Sequence, residues 1–202
     1  MKYVKRLHAL ASTGLFFGAS EFDRERYAEI GEIAQAMMAD LADVPVAAIP
    51  ELFPSYGGSY ATPMIDVRAA IYQQGKVLLV QEKTDHRWTL PGGYADVGLS
   101  AGENVVKEVQ EEACLDVEVR KLYAVRHKVK HGYDQDLRDF YKFFFLCETV
   151  HEAEPHAGVE CLDAGYFALD NLPELSTGRT IAEDIVLGYA HYENPQRVPL
   201  VD

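Results

Sequence analysis

The chain has 202 residues, of which 48% are hydrophobic and 25% charged, a composition ordinary for a soluble globular protein. Its formal net charge of -13 argues against broad nucleic-acid or acidic-membrane binding, because both need a basic surface. The negative charge does not exclude the binding of anionic substrates, since bound divalent cations can reverse the local field. The three cysteines lack C-x-x-C spacing, so we expect no disulfide framework, no zinc site and a cytoplasmic location. No apolar run is long enough to predict a transmembrane helix.

Residues 1–60 predict a small helical domain that ends in a linker. The apolar run at 7–17 is interrupted by polar residues and glycine, which favours an amphipathic helix over a signal peptide. A second helix begins near Asp23, with apolar residues at spacings of three and four, and a short third helix is expected over 46–52. The stretch 53–60 is dense in turn formers and predicts the linker.

Residues 61–202 predict a mixed α/β domain. Two apolar stretches around a Gln-Gln-Gly-Lys turn at 73–76 indicate a β-hairpin. A helix follows from about Ser100 to Ala113, and Ser100 with Glu103 fits a capping box at its start. We expect further strands at 117–128, 141–150 and 163–168, a polar loop at 130–139, and a final helix at 180–192.

The predicted helix at 100–113 carries an acidic cluster, Glu108, Glu111 and Glu112. Like charges at helical spacing of three and four repel, so the cluster is costly unless a cation lies among them. Hard oxygen ligands are what Mg²⁺ or Mn²⁺ selects. Gly92 and Gly93 precede the helix and let the backbone approach a ligand closely. The sequence therefore indicates metal-assisted chemistry on phosphates, with a solvated acidic helix face as the alternative.

The segment from Gly93 to Leu115 resembles the Nudix box, G-x5-E-x7-R-E-U-x-E-E-x-G-U, in which U is a bulky aliphatic residue. The matching residues in register are Gly93, Glu108, Val109, Glu111, Glu112 and Leu115. The hairpin, the Trp-x-Leu-Pro-Gly-Gly entry and the ending Tyr-Phe-Ala-Leu-Asp-Asn-Leu-Pro extend the likeness. The resemblance implies an α/β (α+β) class. It implies a Nudix α/β/α sandwich with a mixed sheet at 61–202, preceded in the chain by the small helical domain.

Three residues depart from the box. Leu99 stands at its first glutamate, Lys107 at its arginine and Cys114 at its glycine. Lysine keeps the charge but loses the bidentate fork that orients carboxylates. We expect Cys114 to be tolerated if the helix end does not need a left-handed residue there. Glu103 can replace the acid missing at Leu99, although helix capping explains it more simply.

The resemblance implies that Glu108, Glu111 and Glu112 hold the divalent metal together with the carbonyl of Gly92. In the family a general base comes from the box or from a later loop. Glu160 is our candidate for the loop base and Asp163 the second choice. An ordinary exposed loop acid is the alternative for Glu160.

The sequence indicates the substrate-binding residues less clearly than the metal ligands. Arg68, on the first predicted strand, either meets phosphate or pairs with a core acid. Trp88 either stacks on the substrate or packs in the core. A basic cluster at a strand end can receive a phosphate or can merely make a strand edge soluble. Its members are His127, Lys128, Lys130 and His131.

The whole chain also resembles a Nudix subgroup with an N-terminal helical domain that includes bacterial CDP-choline pyrophosphatases. The likeness rests on the N-terminal helices, Pro63-Met-Ile-Asp-Val-Arg-Ala, Tyr141-Lys-Phe-Phe-Phe-Leu-Cys and Tyr192-Glu-Asn-Pro. It implies a Mg²⁺-dependent pyrophosphohydrolase that cleaves a small nucleotide, CDP-choline first, into two monophosphates. ADP-ribose or another sugar nucleotide is the second expectation, and a nucleotide-binding regulator without hydrolysis is the third. The apolar faces of the N-terminal helices need a partner, so we expect a homodimer, with a role of these helices in shaping the substrate cleft as the alternative.

Overall fold

The computed structural model describes residues 2–18, 20–49 and 60–202, which form two compact units. One unit comprises Met1–Met64 with Asp136–Asp139, and the other comprises Ile65–Gln135 with Phe140–Asp202. In the described part of the chain, no helix is long and apolar enough to cross a membrane.

The first unit is a helical pair, α1 (Lys2–Phe17) and α2 (Glu21–Ala42), followed by a short 3-10 helix at Val46–Ala48. The hydroxyl of Ser20 accepts the amide of Asp23 and caps the start of α2. The unit has a small core of its own, made by Val4, Ala34, Met38, Ala39 and Ile49. The third predicted helix is thus only a short turn as far as residue 49, and its remainder and the predicted linker at 53–59 lie outside the described residues.

Both helices of this unit expose large apolar side chains in rows. On α2 the row has helical spacing and consists of Ile30, Ile33, Met37 and Leu41, which are 38% to 56% exposed. On α1 a similar row contains Tyr3, Leu7, Leu10 and Phe17. Apolar surface of this kind on a small unit is typical of an interaction site.

The second unit is built on one seven-stranded sheet. Its strands are β1 (Met64–Gln73), β2 (Lys76–Glu82), β3 (Trp88–Thr89), β4 (Val117–His127), β5 (Phe140–Thr149), β6 (Cys161–Ala168) and β7 (Leu200–Val201). The order is β3-β2-β1-β5-β4-β7, and β6 also pairs with β2. The β1–β2 and β4–β5 pairs are antiparallel and β4–β7 is parallel, so the sheet is mixed.

Two helices, α3 (Ala101–Ala113) and α4 (Ala182–Glu193), cover opposite faces of this sheet. Alternate residues of a strand point to opposite faces. Val67, Ala69 and Ile71 of β1 share a core with the apolar side chains of α3. Ala70 and Tyr72, at the intervening positions, share the other core with Ile185 of α4. The predicted sandwich with a mixed sheet is confirmed.

The predicted hairpin, the central helix and the long strands are confirmed. The strand expected last in the chain is followed by β7, and neither β3 nor β7 was predicted. Each of these two strands has only two residues, which is too short for any periodic pattern.

The imidazole of His191, in the last turn of α4, is buried in the core. It is fully buried, it packs against the ring of Tyr123 with centroids 5.7 Å apart, and neither ring nitrogen finds a hydrogen-bond partner among the described residues. Burial lowers the pKa of His191, and the charges of Lys121 and Arg197 act in the same direction. The folded protein therefore favours the neutral ring.

We predict that His191 makes the protein less stable in acid. Because its folded pKa lies below the ordinary 6.5, the unfolded chain binds more protons as the pH falls below that value. The free energy of unfolding should then drop by up to about 1.4 kcal/mol per pH unit on account of this residue. Urea titrations between pH 5 and pH 8 should show a shallower pH dependence for His191→Leu.

The matched control is His151→Leu, which changes an exposed histidine in the same way. Its stability should follow the wild-type curve with pH. Curves for His191→Leu and the wild type that run parallel throughout would contradict the prediction.

Candidate functional site

A capping box and the side chain of Asn104 stabilise the first turn of helix α3. Ser100 and Glu103 form the predicted capping box, so the capping role of Glu103 is confirmed. The buried side chain of Asn104 accepts the amide of Asp96 at 2.8 Å and donates to the carbonyls of Leu99 and Ser100. The loop before the helix is thereby tied to the helix itself.

The Gly92–Gly93 turn lies against β1. The amide of Ala69 donates to the carbonyl of Pro91 at 2.8 Å, and the amide of Val67 donates to the carbonyl of Gly93 at 2.9 Å. Gly92 has φ 145, and a Cβ there would overlap the carbonyl oxygen of Val67. Only glycine fits this combination of backbone angle and close approach.

Two carboxylates of α3 meet this turn. Glu112 is buried, and one of its oxygens accepts the amide of Gly92 at 2.8 Å. Glu108 lies over Gly93, with both carboxylate oxygens 2.9 Å from the place that a Cβ would take. Burial raises the pKa of both groups, that of Glu112 to about 7, whereas the nearby charge of Arg68 opposes the rise. The turn and the acids form one compact site.

Glu111 points to the solvent side of the helix. Its carboxylate accepts a hydrogen bond from the ammonium of Lys107 at 2.8 Å, and the same ammonium is 3.3 Å from Asp96. Lys107 therefore supplies a cation to one acid of the cluster and one acid of the preceding loop.

The loop that carries Glu160 is bound to the end of α3. The amide of His156 donates to the carbonyl of Ala113, and the amide of Gly158 donates to that of Glu112, both at 3.0 Å. A Cβ on Gly158 would overlap the carbonyl oxygen of Glu111. Glu160 is exposed, and its charge adds to the rise in the pKa of Glu108 after burial. Asp163 accepts the amide of the next residue at 2.8 Å and lies opposite Gln81 in the sheet.

Glu82, at the end of β2, is an acid of this region that the sequence analysis did not single out. It pairs with Arg179 at 2.9 Å, and its charge acts on Glu112. Gly158 and Asn104 were also missed. Their importance depends on contacts between distant segments, and a single sequence carries no signal for such contacts.

Arg68 does not offer a free guanidinium to phosphate. It is 3% exposed, and its Nε and Nη2 donate to Asp66 at 3.0 and 2.9 Å. Its Nη1 donates to the carbonyl of Leu90 at 3.1 Å and faces the hydroxyl of Thr89 at 3.3 Å. The alternative of pairing with a core acid is what the structure shows, and a role of Arg68 in substrate binding stays a prediction.

Trp88 and Lys128, two other candidates for substrate binding, contact aromatic rings of the protein. Trp88 packs edge-on against Phe167, with ring centroids 4.5 Å apart. The ammonium of Lys128 lies 5.2 Å from the centre of the Phe140 ring. Lys130 is exposed, and the nearby His131 is 2.9 Å from Asp202. Roles of Trp88, Lys128 and Lys130 in substrate binding stay predictions.

Known proteins share this architecture over the whole chain. Residues 62–187 match the NUDIX domain, and residues 1–53 match a domain described as UDP-X-like, N-terminal oligomerisation domain. The chain belongs to the Nudix family. YjhB of Bacillus subtilis (strain 168), named provisionally as an ADP-ribose pyrophosphatase, is 35% identical over 100% of this chain and 96% of its own length.

Two solved structures give the same assignment. A structure of a UDP-X diphosphatase is 33% identical, with a TM-score of 0.65 over 100% of this chain and 97% of that one. An ADP-ribose pyrophosphatase from Streptococcus suis 89-1591 is 41% identical, with a TM-score of 0.63 over 70% of this chain and 100% of that one. This protein is a Nudix hydrolase, and its relatives are named as pyrophosphatases and diphosphatases.

One departure from the Nudix box needs a correction. Cys114 ends α3 with φ 54 and ψ 34, so this helix end does take a left-handed residue. We expected the cysteine to be tolerated if the helix end did not need such a conformation. Cysteine instead adopts a conformation that favours glycine, at a cost of roughly 1 kcal/mol. The capping loop at 156–158 helps to keep the helix end in place.

Nudix hydrolases generally use divalent metal ions, and the donors of this site suit them. Glu108, Glu112 and the Gly92 turn offer oxygen ligands, which hard cations prefer. Within residues 2–18, 20–49 and 60–202, however, no three acidic, histidine or cysteine side chains are arranged as a ready metal cage. Glu111 is turned to Lys107 and Glu112 to Gly92.

We predict that Gly158→Ala disturbs the site without touching a carboxylate. The new methyl group overlaps the backbone of Glu111, so the capping loop must move away from α3 and take Glu160 with it. Overpacking of this kind costs about 1–3 kcal/mol. Thermal unfolding should show the loss of stability, and hydrolysis of a nucleoside diphosphate derivative should fall at least about tenfold, which corresponds to roughly 1.4 kcal/mol.

Gly132→Ala is the control, because a Cβ at that glycine meets nothing within 4 Å. It should behave as the wild type in both assays. Normal stability and turnover of Gly158→Ala would show that the loop does not depend on this close approach.

Proposed function

We propose that this protein hydrolyses the diphosphate of a nucleotide linked to a second moiety and releases two monophosphates, with Mg²⁺ or Mn²⁺ as its metal. The observation that carries the proposal is the contact of the half-buried Glu108 and the buried Glu112 with the Gly92–Gly93 turn. Acids buried beside a backbone turn are costly unless they serve a bound cation. The matched family acts on the same bond type.

In this mechanism Glu108, Glu111, Glu112 and the carbonyl of Gly92 would hold the metal. The bound metal would neutralise charge on the diphosphate and make the attacking water more acidic. Gly92 keeps the backbone close to Glu112 through its amide hydrogen bond. Glu160, exposed on the loop bound to α3, takes the proton of the attacking water.

ADP-ribose is the first substrate that we propose. The relatives that match this chain over two thirds or more of its length include proteins named for ADP-ribose and for UDP-X. CDP-choline, expected from the subgroup resemblance, stays in the panel as the alternative. Nucleotide binding without hydrolysis, suggested by the departures at Leu99, Lys107 and Cys114, is an outcome of the same assay.

We predict that the purified protein releases AMP from ADP-ribose in the presence of Mg²⁺ or Mn²⁺ and that Glu112→Gln does not. The amide cannot replace a charged metal ligand, and loss of metal charge stabilisation worth several kcal/mol lowers the rate at least about 100-fold. Chromatography of the nucleotide products from ADP-ribose, a UDP-sugar and CDP-choline measures both activity and preference.

Glu183→Gln is the control, because Glu183 is an exposed acid at the start of α4, on the other face of the sheet. It should keep the wild-type rate. No turnover of any diphosphate in the panel, together with tight nucleotide binding, would support the regulatory alternative and reject hydrolysis.

We also propose that the first unit joins two copies of the chain into a homodimer. Its family description is an oligomerisation domain, and both helices expose apolar rows. Exposed apolar rows on a small helical pair lose contact with water when a second copy covers them.

We predict that sedimentation gives twice the chain mass of 22.6 kDa and that Met37→Glu shifts the protein toward monomer. A glutamate in the apolar row of α2 would place a charge in the buried interface. Val186→Glu introduces the same charge at an exposed apolar position of α4 and should leave the mass unchanged. A wild-type protein that stays monomeric at all concentrations would refute the dimer.

A further inference from the structure

Three charged side chains form a buried cluster beneath the Gly92 turn. Asp66 pairs with Arg68 at 2.9 Å and with Lys142 at 2.7 Å, and the three side chains are 8%, 4% and 2% exposed. The paired cations hold the pKa of Asp66 down at about 2 against the effect of burial, so it is ionised. One anion facing two cations leaves a net positive charge in this cluster, on which the charges of Asp184 and Glu82 also act. A buried charge of this kind is stable only with a further partner of opposite sign.

Glu112 is a buried carboxylate that can balance this charge. Burial raises its pKa, and the charge of Arg68 is the strongest of the effects that oppose the rise. The charge of Arg68 also acts on Glu108, in addition to that of Lys107. The electrostatic coupling runs in both directions, because Glu112 in turn stabilises the charged form of Arg68.

Arg68 is also bonded to the segment that leads into the turn. Its Nη1 donates to the carbonyl of Leu90 at 3.1 Å, two residues before the glycine whose amide binds Glu112. Backbone bonds from the neighbours of Arg68 in β1 hold Pro91 and Gly93. One side chain thus touches the strand beneath the turn and the segment before it, and its charge acts on the acid above.

We propose that Arg68 is a positioning residue that holds the Gly92 turn and Glu112 in register for the metal. This inference rests on the proposed function. Lys107, at the place of the box arginine, binds Glu111 and Asp96. Lys107 binds the exposed Glu111, and Arg68 binds the segment before the turn whose Gly92 amide donates to the buried Glu112.

The test compares Arg68→Met with Arg126→Met. Arg126 is also buried and pairs with a buried aspartate, Asp184, at 2.7 Å, in the cluster with Tyr133. Both changes remove a buried guanidinium from an ion pair, and Lys142 still neutralises Asp66 after the first change. Both variants lose a buried guanidinium from an ion pair, but only Arg68→Met removes the hydrogen bond to Leu90 and the charge that acts on Glu112.

Three readouts separate positioning from stability. Amide hydrogen exchange at Gly92, measured without metal, should become faster in Arg68→Met and stay at the wild-type rate in Arg126→Met. Mn²⁺ affinity, measured by the electron paramagnetic resonance of the free ion, should fall about 10- to 100-fold in Arg68→Met only. kcat should fall with the affinity while KM for the nucleotide stays near the wild-type value. Arg68→Lys should recover part of each effect, since it keeps the charge but not the fork.

The outcomes distinguish this inference from the proposed function. If the wild type neither binds Mn²⁺ nor turns over a diphosphate, the proposed function fails. If the wild type does both, and Arg68→Met matches Arg126→Met in exchange at Gly92 and in Mn²⁺ affinity, Arg68 serves stability alone and the inference is overturned. Where Arg68→Met does not fold, Arg68→Lys with Arg126→Lys as its control decides by the same readouts.

Discussion

The carboxylate of Glu112 is buried, and it accepts a hydrogen bond from the backbone amide of Gly92 at 2.8 Å. Burying a carboxylate is costly, and that cost is offset only while donors and cations stay in place around it. The glycine at 92, the close contact of the turn with β1 and the buried Arg68 are all consequences of this requirement. The rest of the site is arranged around the same acid.

The site is assembled from segments that are far apart in the chain. Strand β1 supports the glycine turn, α3 supplies the acids, and the loop at 156–158 closes the end of α3. Each segment satisfies backbone groups of another, so the carbonyls that a helix normally leaves open at its end are bonded here by the loop. The loop that carries Glu160 is therefore held to the helix by two backbone hydrogen bonds.

Local features were predictable, and long-range contacts were not. The capping box at Ser100 and Glu103 and the hairpin turn at 73–76 depend on residues a few positions apart, and both were predicted. The short strands β3 and β7 exist only because longer strands lie beside them. The close approach of Gly158 to Glu111 could not be predicted either, because it too depends on a contact between distant segments. For Arg68, the sequence left phosphate contact and ion pairing open, because the choice depends on which residues surround it in the fold.

The departures from the Nudix box fit this arrangement better than they fit loss of function. Leu99 is partly exposed at the loop before α3, where Asn104 and the capping box already fix the start of the helix. Lys107 still reaches Glu111, and a point charge suffices there because the acid is exposed. The buried Glu112 is bonded to the Gly92 turn, and Arg68 of β1 binds the segment before that turn.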